Sequence, residues 1–300
     1  MKNKSMIFRI SAPLILALVM IQSMGFGQED STGKDNRPAK PAFESGYLID
    51  QQTSVIPIKN TLEFVIHHRF GTVENGKSDL YGIYGSSNIR LGLNYSFTDN
   101  LLVGIGTTKT NQYQDVVIKY NILKQTRSLN IPVSVTFFEN FAIDARDKKA
   151  FGTDYKFNNR LSYFSQLIVT HRCNSNLSLQ VAPSFTHFNM TDTLFDHDKI
   201  GISFGGRIKI SPQTSIIAAV DIPVYVKGIQ EYPKPEYLSK SNLSIGVEIS
   251  TSTHAFQIFI ATAKGILPQQ NMMWNNLTES NKLSTKQLLI GFNITRLWNF

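Results

Sequence analysis

The chain alternates apolar and polar residues two by two. In 88–97, Ile89, Leu91, Leu93, Tyr95 and Phe97 take one parity, and Asn88, Arg90, Gly92, Asn94 and Ser96 take the other. In 128–138, Leu129, Ile131, Val133, Val135 and Phe137 alternate with Asn130, Pro132, Ser134 and Thr136. In 200–210, Ile200, Ile202, Phe204, Ile208 and Ile210 oppose Ser203, Arg207 and Lys209. Successive side chains of a strand point to opposite faces, so each stretch predicts a strand with one apolar and one polar side. About twelve such segments follow one another, over 61–70, 88–97, 101–109, 113–123, 128–138, 160–172, 177–187, 200–210, 214–224, 243–250, 255–263 and 287–300. Their lengths suit tilted strands that cross a bilayer in roughly ten residues, and no helical period competes.

The links between segments alternate in length. "TDN", "LKQT", "CNSN", "SPQ" and "STSTH" are tight, whereas "GTVENGKSDLYGIYGSS" and "YVKGIQEYPKPEYLSKSN" are long, and only the link near Asn111 breaks the order by being short. Outer-membrane barrels carry short periplasmic turns and longer external loops. The last segment fits the same plan. Leu288, Ile290, Phe292, Ile294, Trp298 and Phe300 share one parity, with Gly291, Asn293, Thr295 and Asn299 on the other. An unpaired last strand would expose an edge that invites aggregation, and a barrel removes that edge by pairing its last strand with its first. The expectation is an all-β fold: a transmembrane, antiparallel up-and-down β-barrel of about twelve strands, with 287–300 closing on 61–70 and both termini on the periplasmic side. A secreted β-sandwich is the alternative.

If the apolar parity meets lipid, the other lines the lumen. That set contains Glu63, His67, Arg69, Arg90, Asn94, Asp115, Lys119, Asn121, Gln166, Arg172, Gln180, Arg207, Lys209, Asp221 and Glu248. Charges facing an interior must be solvated or paired. A barrel of this size is wider than an eight-stranded one filled by side chains and narrower than a porin. The lumen is therefore read as a narrow pore for small polar or anionic solutes. A closed network of ion pairs is the other possibility, and a long loop folded inward would shut the pore.

The ends of the chain add the compartment. In 1–27, Lys2, Lys4 and Arg9 precede the apolar run "ISAPLILALVMI" and small residues at Gly25 and Gly27, the three-part pattern of a secretory signal peptide. The run is shorter than the roughly 20 residues of a membrane helix. Residues 28–42, "QEDSTGKDNRPAKPA", are polar and proline-bearing and read as a disordered periplasmic lead-in, which leaves 43–300 for the barrel. Removing three bases with the signal from the 30 Lys and Arg leaves 27 against 22 Asp and Glu. That mild excess is no footprint of nucleic-acid binding, which concentrates bases on one face. A single cysteine, Cys173, allows neither an internal disulfide nor a thiolate metal cluster.

Residues 43–95 resemble the N-terminal signature of a family of outer-membrane β-barrels of unknown function from Gram-negative Bacteroidota. The match is sharpest at Thr61-Leu62-Glu63-Phe64, His68-Arg69-Phe70-Gly71-Thr72, Ser78-Asp79-Leu80 and Ser87-Asn88-Ile89-Arg90. The resemblance implies an outer-membrane barrel and transfers no activity. The alternating end at Phe292, Ile294, Trp298 and Phe300 also resembles the signal by which the barrel assembly machinery of the outer membrane recognises its clients, with Arg296 departing from it. Expected partners are therefore outer-membrane lipid and that machinery, and a periplasmic or surface protein is a further possibility.

Signs of catalysis are sparse. No G-x-S-x-G elbow, H-E-x-x-H or glycine-rich phosphate loop is present. Glu63 and His67 share a strand face and could form an acid–base couple, but ordinary lumen lining explains them. Asp196-His197-Asp198 offers three metal-ligand types, yet adjacent residues converge poorly on one ion. His171 or His187 beside an acid would serve a barrel hydrolase, but parity places both outward. No enzyme activity, metal or cofactor is expected. The aromatic and proline-bearing loop "EYPKPEYLSKSN" suits recognition. Passage of small solutes is the first expectation, a closed structural or partner-binding barrel the second, and a barrel hydrolase the third.

Overall fold

A computed structural model describes residues 35–192, 195–226, 229, 239–275 and 287–300. The signal-peptide expectation for 1–27, the start of the lead-in and most of the loop "EYPKPEYLSKSN" lie outside them. Two short strands, β1 (Tyr47–Leu48) and β2 (Gln51–Gln52), form a hairpin of their own. Twelve longer strands follow: β3 (Thr61–Thr72), β4 (Asn88–Ser96), β5 (Leu101–Thr108), β6 (Gln114–Leu123), β7 (Ser134–Ile143), β8 (Leu161–Arg172), β9 (Leu177–Phe188), β10 (Asp198–Lys209), β11 (Thr214–Val224), β12 (Asn242–Ser250), β13 (His254–Ala261) and β14 (Leu289–Asn299). Each pairs antiparallel with its neighbours in sequence, and β14 returns to β3 from Leu289↔Thr72 to Asn299↔Thr61, so the sheet is a closed barrel. Closure removes every edge, which is why a strand ending beside Trp298 and Phe300 remains fully paired along its length. Among the described residues no helix is long and apolar enough to cross a membrane.

Period two produces two faces. On the outer face Leu91, Leu93, Ile105, Leu167, Ile245 and Ile258 are exposed. On the inner face Glu63, Arg69, Arg90, Asp115, Lys119 and Glu248 are buried. Tight links lie at one end of the barrel, with the start of β3 and the close of β14. Long links lie at the other end, where the β5–β6 connection is short as expected.

The fifth strand departs from expectation. It spans Ser134–Ile143 and not 128–138, so 124–133 becomes a turn longer than its four counterparts at that end. Pro132 has no N–H for a ladder bond, which disfavours it in a closed sheet. Leu129 takes a left-handed backbone at φ 58°. The long turn serves as a clasp. Ala39 N donates to Gln125 O, Arg127 N to Arg37 O and Ser128 N to Asp35 O, and Pro38 bridges Thr126. Arg37 beside Asp35 holds that carboxyl well below the usual carboxylate range. The expectation of a disordered lead-in thus gives way, from Asp35 onward, to a segment pinned across the tight-turn end.

Candidate functional site

From the clasp the chain turns into the barrel. Ala42, Phe43, Ser45, Tyr47, Leu48, Ile49, Gln51, Thr53 and Ser54 are all buried, although no barrel strand contains them. They form a plug that rises along the lumen, reverses at Ile49 and Asp50, and descends to Thr61. Ile49 sits at φ 58°, a left-handed conformation that costs a β-branched residue on the order of 1–3 kcal/mol. The lumen holds it there from two sides. Gln257 Oε1 accepts from Ile49 N at 3.1 Å, and Asn293 Nδ2 donates to Ile49 O at 2.8 Å.

Charge fixes the plug at two levels. Near mid-barrel, Arg69 Nη2 meets Asp50 Oδ1 at 2.5 Å, with both side chains almost wholly buried. Asn242 Nδ2 donates to the other Asp50 oxygen at 2.9 Å and to Asp221 at 3.1 Å. Closer to the tight turns, Arg207 meets Glu44 of the plug at 3.0 Å and Glu248 of β12 at 3.2 Å, and Lys209 lies 3.9 Å from Glu44. Between them Lys119 Nζ donates to Gly46 O at 3.0 Å and stands 5.6 Å from the Tyr47 ring centroid. Gln51 Nε2 donates to Phe204 O, Val220 O and Asp221 Oδ1, and Gln180 Nε2 donates to Gln51 Oε1 at 2.8 Å. Each lumen charge finds an opposite charge or a polar partner, as burial requires.

Apolar contact completes the seat. Phe43, Leu48, Ile49 and Val55 pack on Ile217, Ala219, Phe259, Ala261 and Leu289, which point inward from β11, β13 and β14. Ile56 packs on a second inward cluster that includes Val117, Phe138, Phe164 and Ile168. Glycine makes the clearance. A Cβ on Gly205 would lie 2.5 Å from Leu48 Cδ2 and 2.7 Å from Gln51 Oε1, inside the approach limit for any side chain.

The opposite end is filled by a short helix, α1 (Pro268–Trp274), from the β13–β14 link. Gln269 Nε2 donates to Asn140 Oδ1 at 2.7 Å, and Met272 reaches Gly201, where a Cβ would meet its sulfur at 2.6 Å. Hairpin and helix nearly touch. The spaces left between them measure about 20 Å³ and about 10 Å³, room for a single water each at most. Among the described residues, the plug and α1 thus occupy the section of the lumen between them.

The lumen candidates fall into three groups, with Asn121 accepting from Thr136 Oγ1 at 2.6 Å on the neighbouring strand. Asp221, Arg69, Arg207, Lys119, Glu248, Asn94 and Glu63 meet the plug or its partners; Asn94 Nδ2 donates to Tyr47 Oη at 3.0 Å and to Glu63 at 2.7 Å. His67 stands edge-on to the Tyr47 ring, 4.6 Å between centroids. Arg90 and Asp115 pair with each other at 2.6 Å, and Gln166 reaches Ser203 at 3.4 Å. Arg172 and Lys209 are only half-buried and stand at the tight-turn rim, Arg172 donating to Pro41 O. The parity reading passed over Asn140, Asn242, Gln257 and Lys199, all buried inside. Their inward parity was available as a signal. The plug had another: Ile217, Phe259 and Phe164 are apolar on the polar parity, which a water-filled lumen leaves unexplained.

The remaining candidates lie elsewhere. Phe292, Ile294, Trp298 and Phe300 line the outer face of β14, with Phe300 82% exposed, and Arg296 sits 5.6 Å from the Trp298 ring centroid and bonds His254. His187 does find an acid, Asp198, at 2.6 Å, and its other nitrogen meets Asn189 at 2.8 Å. His171 donates to Pro132 O. Among the described residues neither ring is bonded to a serine. Among the described residues no group of three or more His, Cys, Asp and Glu is placed to hold a metal ion, and Asp196-His197-Asp198 forms none.

The family model described as a membrane bound beta barrel domain (DUF5777) matches residues 43–298. Among solved structures, the NanC porin superposes with a TM-score of 0.48 at 9% identity, covering 79% of this chain and 99% of that one. The COG4313 outer membrane channel from Pseudomonas putida F1 gives 0.47 at 11% identity, covering 81% and 97%. The KdgM porin gives 0.45 at 7% identity, covering 80% and 99%. No curated protein matches the chain.

Proposed function

The chain belongs to the DUF5777 family of membrane bound beta barrels, and from that premise we propose that it is an outer-membrane, plug-gated channel for small polar solutes, closed at rest. One observation carries the reading. The segment from Ala42 to Ile56 is seated in the lumen through Arg69, Lys119 and Arg207 and runs into the first barrel strand through the stretch before Thr61. Among the described residues its other end is tied by the clasp of residues 35–39 and by Arg172 on Pro41 O. Withdrawing it requires no strand to unpair. It also leaves a lumen whose polar walls can be wetted, since the groups now bonded to the plug are donors and acceptors.

Departure of the plug removes Asp50 and Glu44 with their negative charges. Arg69 then keeps no carboxylate, and Arg207 keeps only Glu248. Arg69, Arg90, Lys119 and Arg207, with Lys199 and the rim bases Arg172 and Lys209, outnumber Glu63, Asp115, Asp221, Glu248 and the Asp196 that faces Lys199. The unplugged lumen is accordingly expected to prefer anions.

Single-channel recording in planar bilayers tests this. The chain from Gln28 is expected to be silent or to open rarely. A chain lacking 28–58 conducts, and one that also lacks 266–275 conducts most. Heat-modifiable gel mobility shows that each is a folded barrel. A folded double deletion that carries no current would sink the channel and leave the closed, partner-binding barrel.

A further inference from the structure

The outer face of β14 carries one charged side chain, Arg296, between Ile294 and Trp298. Its depth follows from its neighbours. Arg296 lies opposite His254, the first residue of β13, and the next residue, Leu297, donates its N–H to Thr253 O of the tight β12–β13 turn at 2.8 Å. The guanidinium thus stands at the tight-turn rim of the barrel. Phe97, Tyr120, Phe137 and Trp298 are exposed toward the same end. Aromatic girdles of this kind mark the boundary between hydrocarbon and headgroups, where an outward-facing base costs little.

No acid answers that charge. Among the described residues Arg296 enters no ion pair, and its partners are the His254 ring and the Trp298 ring, whose centroid lies 5.6 Å from its Cζ. The two rings hold the guanidinium in one pose. Its Nη1 bonds His254 Nε2, and because a guanidinium only donates, that ring nitrogen accepts and Nδ1 carries the ring proton, 3.1 Å from Thr253 Oγ1. With Nη1 engaged, Nε and Nη2 keep their donors side by side and without a partner among the described residues. That edge is the fork which grips a phosphate through two parallel hydrogen bonds. At this depth a membrane supplies one anionic group that fits it, the phosphodiester of a phospholipid, since acyl tails carry no acceptor and glycerol esters no charge. We propose that Arg296, steadied by His254 and flanked by Trp298, binds the phosphodiester of a phospholipid in the leaflet at the tight-turn end, and so ties the closing strands of the barrel to that leaflet.

Trp298 reports on its own neighbour. The chain contains two tryptophans, so Trp274→Phe leaves Trp298 as the sole emitter. In this background the chain from Gln28, in detergent, is titrated with phosphatidylglycerol brominated near the glycerol end of one acyl chain, and separately with diacylglycerol brominated at the same place. The expected result is saturable quenching by the phospholipid, with half-quenching moved about ten-fold higher by Arg296→Gln, as loss of a bidentate charged contact implies. Arg296→Lys keeps the charge without the fork and moves it by less; it becomes the deciding variant where Arg296→Gln does not give a heat-modifiable barrel. Unchanged half-quenching in the deciding variant overturns the proposal, as does diacylglycerol quenching at the same concentration as the phospholipid when Arg296 is in place. Glycerophosphoglycerol, the soluble headgroup, tests the source of the phosphate. It is expected to leave the lipid in place, and displacement at a concentration equal to that of the lipid would make this a site for free phosphodiesters and overturn the lipid assignment. No current is read, so the outcome stands apart from that of the channel.

Discussion

The barrel is stopped from both ends, and the two stoppers are built on different physics. The N-terminal plug is held by ion pairs from β3 and β10, by amides from β12, β13 and β14, and by an apolar seat on β11, β13 and β14. The helix α1 carries no charged residue, is seven residues long, and starts at Leu267 without a side-chain cap. A helix of that length has little stability of its own and depends on packing. It also leaves Gln269 Oε1, Gln270 Oε1 and Asn271 Nδ2 without partners, whereas the hairpin tip has every backbone polar group of Ile49 bonded. On the proposed channel reading, the plug acts as a lock and the helix as a lid.

The largest test of that contrast is Asp50→Ala. Removing one partner of a buried pair costs about 3–5 kcal/mol, because Arg69 is left charged and uncompensated. The open fraction in bilayer recordings is expected to rise by two to three orders of magnitude, and an unchanged open fraction would mean that the pair does not hold the plug. Gly205→Val comes next. Its side chain enters space taken by Leu48 and Gln51, and overpacking of this kind costs about 1–3 kcal/mol. Leak should rise and the barrel should still migrate as heat-modifiable, since the strand itself tolerates valine.

Gln269→Ala probes the lid. It deletes the hydrogen bond to Asn140, worth about 0.5–1.5 kcal/mol, and is expected to change current by no more than about ten-fold, and only in a chain already lacking 28–58. An effect in the full chain equal to that of Asp50→Ala would erase the distinction between lock and lid. The smallest effect belongs to Arg127→Ala at the clasp, where the partner Asp35 is exposed and the contact is 3.5 Å. Surface pairs contribute little, and the backbone bonds of Ala39, Arg127 and Ser128 remain. No change in leak is expected at physiological salt.

Legibility followed locality. Alternation at Asn88, Arg90 and Asn94 or at Ile202, Ser203 and Phe204 is written within a strand, and strand position and facing were read from it directly. The start of the fifth barrel strand is not legible locally, because "SLNIPV" alternates as well as any strand. What disqualifies it is Pro132 in a closed sheet and the demand of residues 35–39 for a backbone to pair with, and the second of these is not local. The lumen residues were legible as inward-facing and illegible as occupied. Arg69 and Asp50 are 19 residues apart, Arg207 and Glu44 are 163 apart, and nothing in their spacing marks them as partners.

By itself, the sequence determined a twelve-stranded alternating sheet, which side of each strand is wet, and the closure of β14 on β3, because a period of two and the cost of a bare edge leave few other arrangements. Only the tertiary structure decided what the wet side faces. A ring of buried charges is equally consistent with water, with mutual ion pairs or with a returning segment of the same chain. The choice rests on whether Phe43, Leu48 and Ile49 find the inward apolar patch of Ile217, Phe259 and Leu289, and that patch exists only once the barrel has closed and brought three distant strands side by side.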